Sequence, residues 1–141
     1  MNYQALAKAA KQAKKHSYSP YSRFRVGAAL LAKSGKVYSG CNIESSSFSL
    51  TICAERTALF KAVSESEKSF SAMAIATDSE EFVSPCGACR QVIHDLAGNI
   101  ELILVNSKGK TKSYKSGALL PVPFRDKLLP IQHADGTSNP S

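Results

Sequence analysis

The sequence predicts an α/β fold, a sheet with helices laid over it, and three observations predict it. From residue 37 to residue 105 strand-like and helix-like patterns alternate as strand, helix, strand, helix, strand, which implies right-handed crossovers and a parallel core. The first strand of that stretch is the second arm of an antiparallel hairpin that begins at Phe24 and has its own turn. At 141 residues the chain is long enough to bury one core without staples and too short for a second domain to be expected. A single domain is expected over residues 1–130, with a small, polar, mobile tail over 131–141.

Tyr3, Leu6, Ala9, Ala10 and Ala13 recur at helical spacing after Asn2, a suitable N-cap, and the pattern stops before Ser17 to Pro20. Phe24 to Ala32 is apolar-rich and reads as a strand. Lys33-Ser34-Gly35-Lys36 has turn chemistry, and Val37 to Asn42 completes the hairpin. A helix is expected from about Thr51 to about Ser64 on Ala54, Ala58, Leu59, Ala62 and Val63, followed by a buried strand over Phe70 to Ala76. After the loop ending at Pro85, a second helix runs from about Gly87 to Leu96 and closes at Gly98, a residue suited to the C-cap. Glu101 to Val105 is a strand, Asn106-Ser107-Lys108-Gly109 a turn, and Lys110 to Lys115 a last, more polar strand.

The composition narrows the function classes. No apolar run approaches the length that spans a bilayer, and the N-terminus lacks a charged start followed by an apolar block. The expectation is therefore a cytoplasmic protein with no membrane partner. The formal charge of +7 invites a nucleic-acid reading, but the lysines are dispersed: Lys8, Lys11, Lys14 and Lys15 lie on the polar side of the first helix, and Lys33, Lys36, Lys108, Lys110 and Lys112 fall at turns. A solvated surface accounts for them, and no nucleic-acid partner is expected.

Chemistry is concentrated in the cysteines. Cys53-Ala54-Glu55 is followed 33 positions after Cys53 by Pro85-Cys86-Gly87-Ala88-Cys89. A Cys-x-x-Cys alone would suit redox work or a structural metal. Three soft ligands beside a carboxylate that does not ligate suit a metal that keeps one position open for water. Both crossover helices begin at these motifs, so the thiols lie at helix N-termini, where exposed amides favour thiolate over thiol. Glu55 is then the proton carrier, because a fourth protein ligand would close the site. Cys41, at the end of a strand, reads as a small buried apolar residue.

A cysteine before x-Glu and then Pro-Cys-x-x-Cys is the signature of zinc deaminases. Tyr21 through Ala29, Cys41 through Glu44, Cys53 through Thr57, Ser84 through Val92, and Leu119-Leu120-Pro121 with Phe124 together resemble the homotetrameric, three-cysteine class of cytidine deaminases. The resemblance implies a three-layer α/β/α fold with a five-stranded mixed sheet, and one Zn²⁺ per subunit on Cys53, Cys86 and Cys89. It implies hydrolytic deamination of cytidine and 2′-deoxycytidine in pyrimidine salvage, with Glu55 protonating N3 and then the leaving amine. It gives Arg56 the role of drawing charge from the sulfurs, and Asn42 and Glu44 that of binding the ribose hydroxyls. Phe24 would pack on the pyrimidine, and the backbone of Ala54 and carbonyl of Ser84 would read the base edge. Phe124 would be lent to the pocket of a neighbouring subunit in a tetramer.

The family usually has Asn and Tyr where this chain has Ser45 and Phe48. These departures keep open a deaminase of the same fold acting on a modified cytosine nucleoside such as blasticidin S. A non-catalytic zinc module that binds nucleic acid is the reading from another class, and it explains neither Glu55 nor the pair Asn42 and Glu44. An editing deaminase would need extra elements to present a polynucleotide, for which this length leaves little room.

Overall fold

The computed structural model describes residues 3–125, comprising α1 (Tyr3–Lys14), β1 (Val26–Ala32), β2 (Val37–Cys41), α2 (Ala54–Ser64), β3 (Phe70–Thr77), α3 (Gly87–Ala97), β4 (Glu101–Val105) and β5 (Thr111–Lys115). Short 3₁₀ helices cover Phe48–Leu50 and Ser116–Leu119. Asn2, expected as the first N-cap, and the expected tail lie outside the described residues.

The strands form one five-stranded sheet in the order β2-β1-β3-β4-β5. The parallel core is narrower than the alternation of elements suggests: β3 and β4 pair in parallel, and every other neighbouring pair is antiparallel. The reason is in the burial pattern. From Gly27 to Ala32, β1 is buried on both faces, as an inner strand must be, whereas β2 alternates buried and half-buried positions as an edge strand does. The hairpin turn, with Gly35 N–H donating to Ala32 O and Ala32 N–H to Lys36 O, sets β2 on the outer side of β1. The α2 crossover therefore passes over β1 to reach β3.

The alternation of side chains divides the core into two layers. Ala28, Leu30, Met73, Ile75, Leu102 and Leu104 face α2 and α3, packing on Ala58, Leu59, Ala62 and Ile93. Ala29, Leu31, Ala72, Ala74, Ile103 and Val105 face α1 and meet Leu6, Ala7 and Ala10. The result is the expected three-layer α/β/α arrangement.

Element ends differ from the sequence reading where the backbone finds other partners. Phe24 precedes β1 because Asn42 Nδ2 donates to its carbonyl at 2.8 Å. The second helix begins at Ala54 because Ile52 is still extended, exchanging both backbone hydrogen bonds with Ile43. Gly98 closes α3 as expected, at φ 73°, with its N–H shared between the carbonyls of Ile93 and His94. Among the described residues no helix is long and apolar enough to cross a membrane.

Candidate metal centre and substrate cavity

Cys53 and Cys86 are the N-cap residues of α2 and α3, each in extended backbone conformation, and neither side chain is used as a cap. The thiols are therefore free to point at one another. Cys89 sits one turn into α3, fully buried. The three Sγ atoms lie within 4.8 Å of one another, and Cys53 Sγ is 3.9 Å from Cys86 Sγ. Tetrahedral bonding at ~2.3 Å to a common ion would place sulfurs about 3.8 Å apart, so a zinc ion fits this donor set with little adjustment. Cys41 ends β2 half-buried, apart from this group.

The surroundings favour anionic sulfur. The Cys53 thiol is brought down to about 5, first by its hydrogen bond with Cys89 and, against the opposing effect of burial, by Arg56. Cys89, which shares that bond and is deeply buried, is pushed up. Arg56 Nη2 donates to Cys53 Sγ at 3.3 Å. Its Nε is buried and has no acceptor among the described residues. A buried N–H left unpaired costs ~1–3 kcal/mol, so a donor stranded beside sulfurs fits a centre built to carry negative charge.

Glu55 follows in the first turn of α2 and is 5% exposed. Burial pushes its carboxyl up to about 7, and the Cys53 thiolate adds to the effect. It lines, with Cys53 and Cys86, a cavity of about 280 Å³. Phe24, Asn42, Glu44, Ala54 and Ser84 also line this cavity, so every pocket residue expected from the sequence except Phe124 borders one space. Ser22, Val26, Thr51, Ile75, Thr77 and Val83 complete the wall; no chemical motif in the sequence marks Thr51, Ile75, Thr77 or Val83 as site residues.

Hydrogen bonds hold the polar rim in place. Asn42 Oδ1 accepts from Val26 N–H at 2.9 Å and from the Ser17 hydroxyl, and Nδ2 reaches the Phe24 carbonyl. One N–H of the amide remains for a ligand. Glu44 Oε1 accepts from the Tyr21 and Ser22 amides at 3.0 and 3.1 Å, and Oε2 from the Ser22 hydroxyl. The Ser22 bonds lead in holding the Glu44 carboxyl below its ordinary value, so it is an anionic acceptor at neutral pH. Ser22 Oγ in turn accepts from Phe24 N–H at 3.0 Å, linking the acidic end of the cavity to its aromatic wall.

Phe124 is 59% exposed and stands outside this cavity, its backbone held by Gln91, whose Nε2 donates to Phe124 O at 2.9 Å and whose Oε1 accepts from Phe124 N–H at 3.1 Å. Ser45 and Phe48 are also absent from the cavity wall. Phe48 is 73% exposed and meets Tyr21 edge-on, with centroids 6.0 Å apart.

Comparison with known proteins gives a consistent result. Residues 1–105 match the family model described as the cytidine and deoxycytidylate deaminase zinc-binding region. A cytidine deaminase of Sporosarcina psychrophila is 50% identical over 130 residues, covering 92% of this chain and 96% of its own length. One of Halalkalibacterium halodurans is 49% identical over 125 residues, covering 88% and 95%. Among solved structures, a cytidine deaminase from Burkholderia pseudomallei superposes with a TM-score of 0.85 at 44% identity, over 88% of this chain and all (100%) of that one.

Proposed function

The chain belongs to the cytidine and deoxycytidylate deaminase family, and from that membership we propose that it is a zinc-dependent enzyme converting cytidine and 2′-deoxycytidine to the corresponding uridines with release of ammonia. The observation that carries this reading is the meeting of three thiols within 4.8 Å at a cavity that also holds a buried glutamate. Zinc, when bound, supplies Lewis acidity that lets water lose a proton near neutral pH.

Cys53, Cys86 and Cys89 would hold the ion. Arg56, donating to Cys53 Sγ, offsets the charge that three thiolates pile up and so preserves the acidity of the centre. Glu55 would move the protons: it accepts one from water and delivers it to N3 of cytosine as the hydroxide adds to C4, then takes the proton of the new C4 hydroxyl and hands it to the amine, so that the C4–N bond breaks as the C4 carbonyl forms and ammonia leaves. Burial suits it to that traffic, since a carboxyl raised toward neutrality gives up and regains a proton with small driving forces.

Substrate is held by the rest of the wall. Glu44 and the free N–H of Asn42 suit ribose hydroxyls, one as acceptor and the other as donor. Phe24 offers a ring face to the pyrimidine. Ala54 opens α2, where first-turn amides lack intrahelical partners, and the Ser84 carbonyl is likewise uncommitted among the described residues. An amide and a carbonyl so placed are complementary to the edge of a cytosine.

We assign the protein to pyrimidine salvage in the cytoplasm, as a homotetramer in which Phe124 closes a neighbour's pocket. The exposure of Phe124, and that of Tyr18, Ile43, Phe48 and Leu50, supports apolar surface that other copies cover. Turnover measured side by side on cytidine, deoxycytidine and blasticidin S tests the substrate. Ammonia from the first two is expected; activity confined to blasticidin S would replace this reading with that of a deaminase for a modified nucleoside.

A further inference from the structure

Arg90 lies one residue past the Pro85-Cys86-Gly87-Ala88-Cys89 motif, half-buried in the first turn of α3. Its guanidinium is divided among three acceptors on two separate segments. Nε donates to Pro85 O at 2.7 Å, Nη2 to Ser84 Oγ at 2.8 Å, and Nη1 to Leu119 O at 3.0 Å. Among the described residues, Arg90 makes the hydrogen bonds that reach Ser84 and Pro85; the preceding Phe82 and Val83 have none. The end of the loop between β3 and α3, which forms one wall of the cavity through Val83 and Ser84, is thus fixed by one side chain.

The far anchor is itself rigid. Leu119 ends the short 3₁₀ helix Ser116–Leu119, which is tied to the turn after α3 by four hydrogen bonds: Ser116 N–H to Ile100 O, Ile100 N–H to Ser116 Oγ, Ser116 Oγ to Gly98 O, and Gly117 N–H to Asn99 Oδ1. Arg90 therefore carries the position of a firmly held segment across to the loop. A planar fork with fixed donor directions can do this, and the single ammonium of a lysine cannot.

We infer that Arg90 is a positioning residue for substrate binding, setting the Ser84 wall of the cavity against the segment Ser116–Leu119. The inference rests on the proposed function for the identity of the ligand. Its consequence is specific: a carbonyl that reads the base edge helps to hold substrate before any bond changes, so losing its placement raises KM more than it lowers kcat. Metal retention is expected, since Cys86 is tied into α3 by the backbone bond from Arg90 N–H to its carbonyl at 3.0 Å, which does not depend on the Arg90 side chain, and Cys53 stands on α2.

The test measures kcat, KM, zinc content and melting temperature for wild type, Arg90→Lys, Arg90→Ala and Ser84→Ala, with cytidine as substrate. KM should rise about tenfold in both Arg90 variants, the loss of about one hydrogen bond to the base, with kcat within about threefold and zinc retained. Millimolar methylguanidinium should restore most of the lost affinity to Arg90→Ala and none to Ser84→Ala. Adding Ser84→Ala to Arg90→Lys should raise KM by less than it does in the wild-type background, because the two act through one bond. If Arg90→Ala does not fold, Arg90→Lys and this double variant decide. A lowered melting temperature with KM at the wild-type value would reduce Arg90 to a structural residue and overturn the inference, as would fully independent effects in the double variant. A wild-type protein that releases no ammonia from cytidine would instead sink the functional reading, and the inference with it.

Discussion

Gly40 offers a test of how the sheet sets the chemistry, because α2 approaches β2 there more closely than any side chain allows. A Cβ at position 40 would stand 2.6 Å from Ala58 N, 2.9 Å from Ala54 O and 2.9 Å from Thr57 Cβ. Non-bonded carbon atoms settle at ~3.5–4.0 Å, and two of these three neighbours are helix backbone, so Gly40→Ala must drive the first turns of α2 outward by about 1 Å. Those turns carry Cys53 and Glu55, and Thr57 Oγ1 also ties them to Cys41 O at 3.0 Å. Overpacking of this kind costs ~1–3 kcal/mol, or a melting point lower by about 3–12 °C for a chain of this size. Displacing a proton carrier by about 1 Å costs up to ~100-fold, so kcat should fall between about ten- and a hundredfold. Thermal unfolding followed by circular dichroism, with steady-state ammonia release on the same preparation, reads both effects. A variant with wild-type melting temperature and turnover would refute the claim that this close approach positions the helix.

Asp78 bridges Arg25 Nε at 3.0 Å and Lys14 Nζ at 3.0 Å, and its carboxyl is held down to about 2, first by the Arg25 bond. A depressed carboxyl stabilises the fold fully above its unfolded value of ~3.9 and loses that contribution as pH falls through the folded value. Because Arg25 is nearly half exposed, solvent screening leaves about 1 kcal/mol, which Asp78→Asn should remove at pH 7, flattening the acid limb of stability between about pH 4 and 2; an unchanged urea midpoint at pH 7 argues against it. Phe124→Ala should keep its zinc yet bind nucleoside about five- to 150-fold more weakly, if an aromatic face is worth ~1–3 kcal/mol on a base. Light scattering on the wild-type protein accompanies that assay, and a fully active monomer contradicts the shared pocket.

The parts of this molecule that are local in sequence were readable there. Cys53 and Cys86 stand at helix starts that the apolar spacing of α2 and α3 and the turn at Pro85 both mark, and Gly98 ends α3 where a residue with positive φ is required. Glu55 is legible because its neighbour is a ligand candidate. Non-local pairing was not readable: the pattern of β1 shows that it is buried, not that it lies between β2 and β3 and reduces the parallel core to one pair. The same holds for Arg90, whose importance depends on a carbonyl 29 positions away, and for Asn42, whose amide braces Phe24 and Val26 as well as facing the cavity. The apolar neighbours of Phe24 predict a strand, and the bond from Asn42 holds it in a loop instead.

The account stands on a zinc centre served by one carboxylate, and Glu55→Gln examines that most directly. Glutamine keeps the shape of the side chain and cannot carry a proton, whereas the three thiols are untouched. Wild type and variant would be assayed together for ammonia release from cytidine, with the zinc in each preparation measured. The account predicts one zinc per chain in both and a fall in turnover at or beyond the ~10⁴-fold end of what general acid–base catalysis contributes. A zinc-loaded variant that loses less than about tenfold, or an active wild type without zinc, would contradict it.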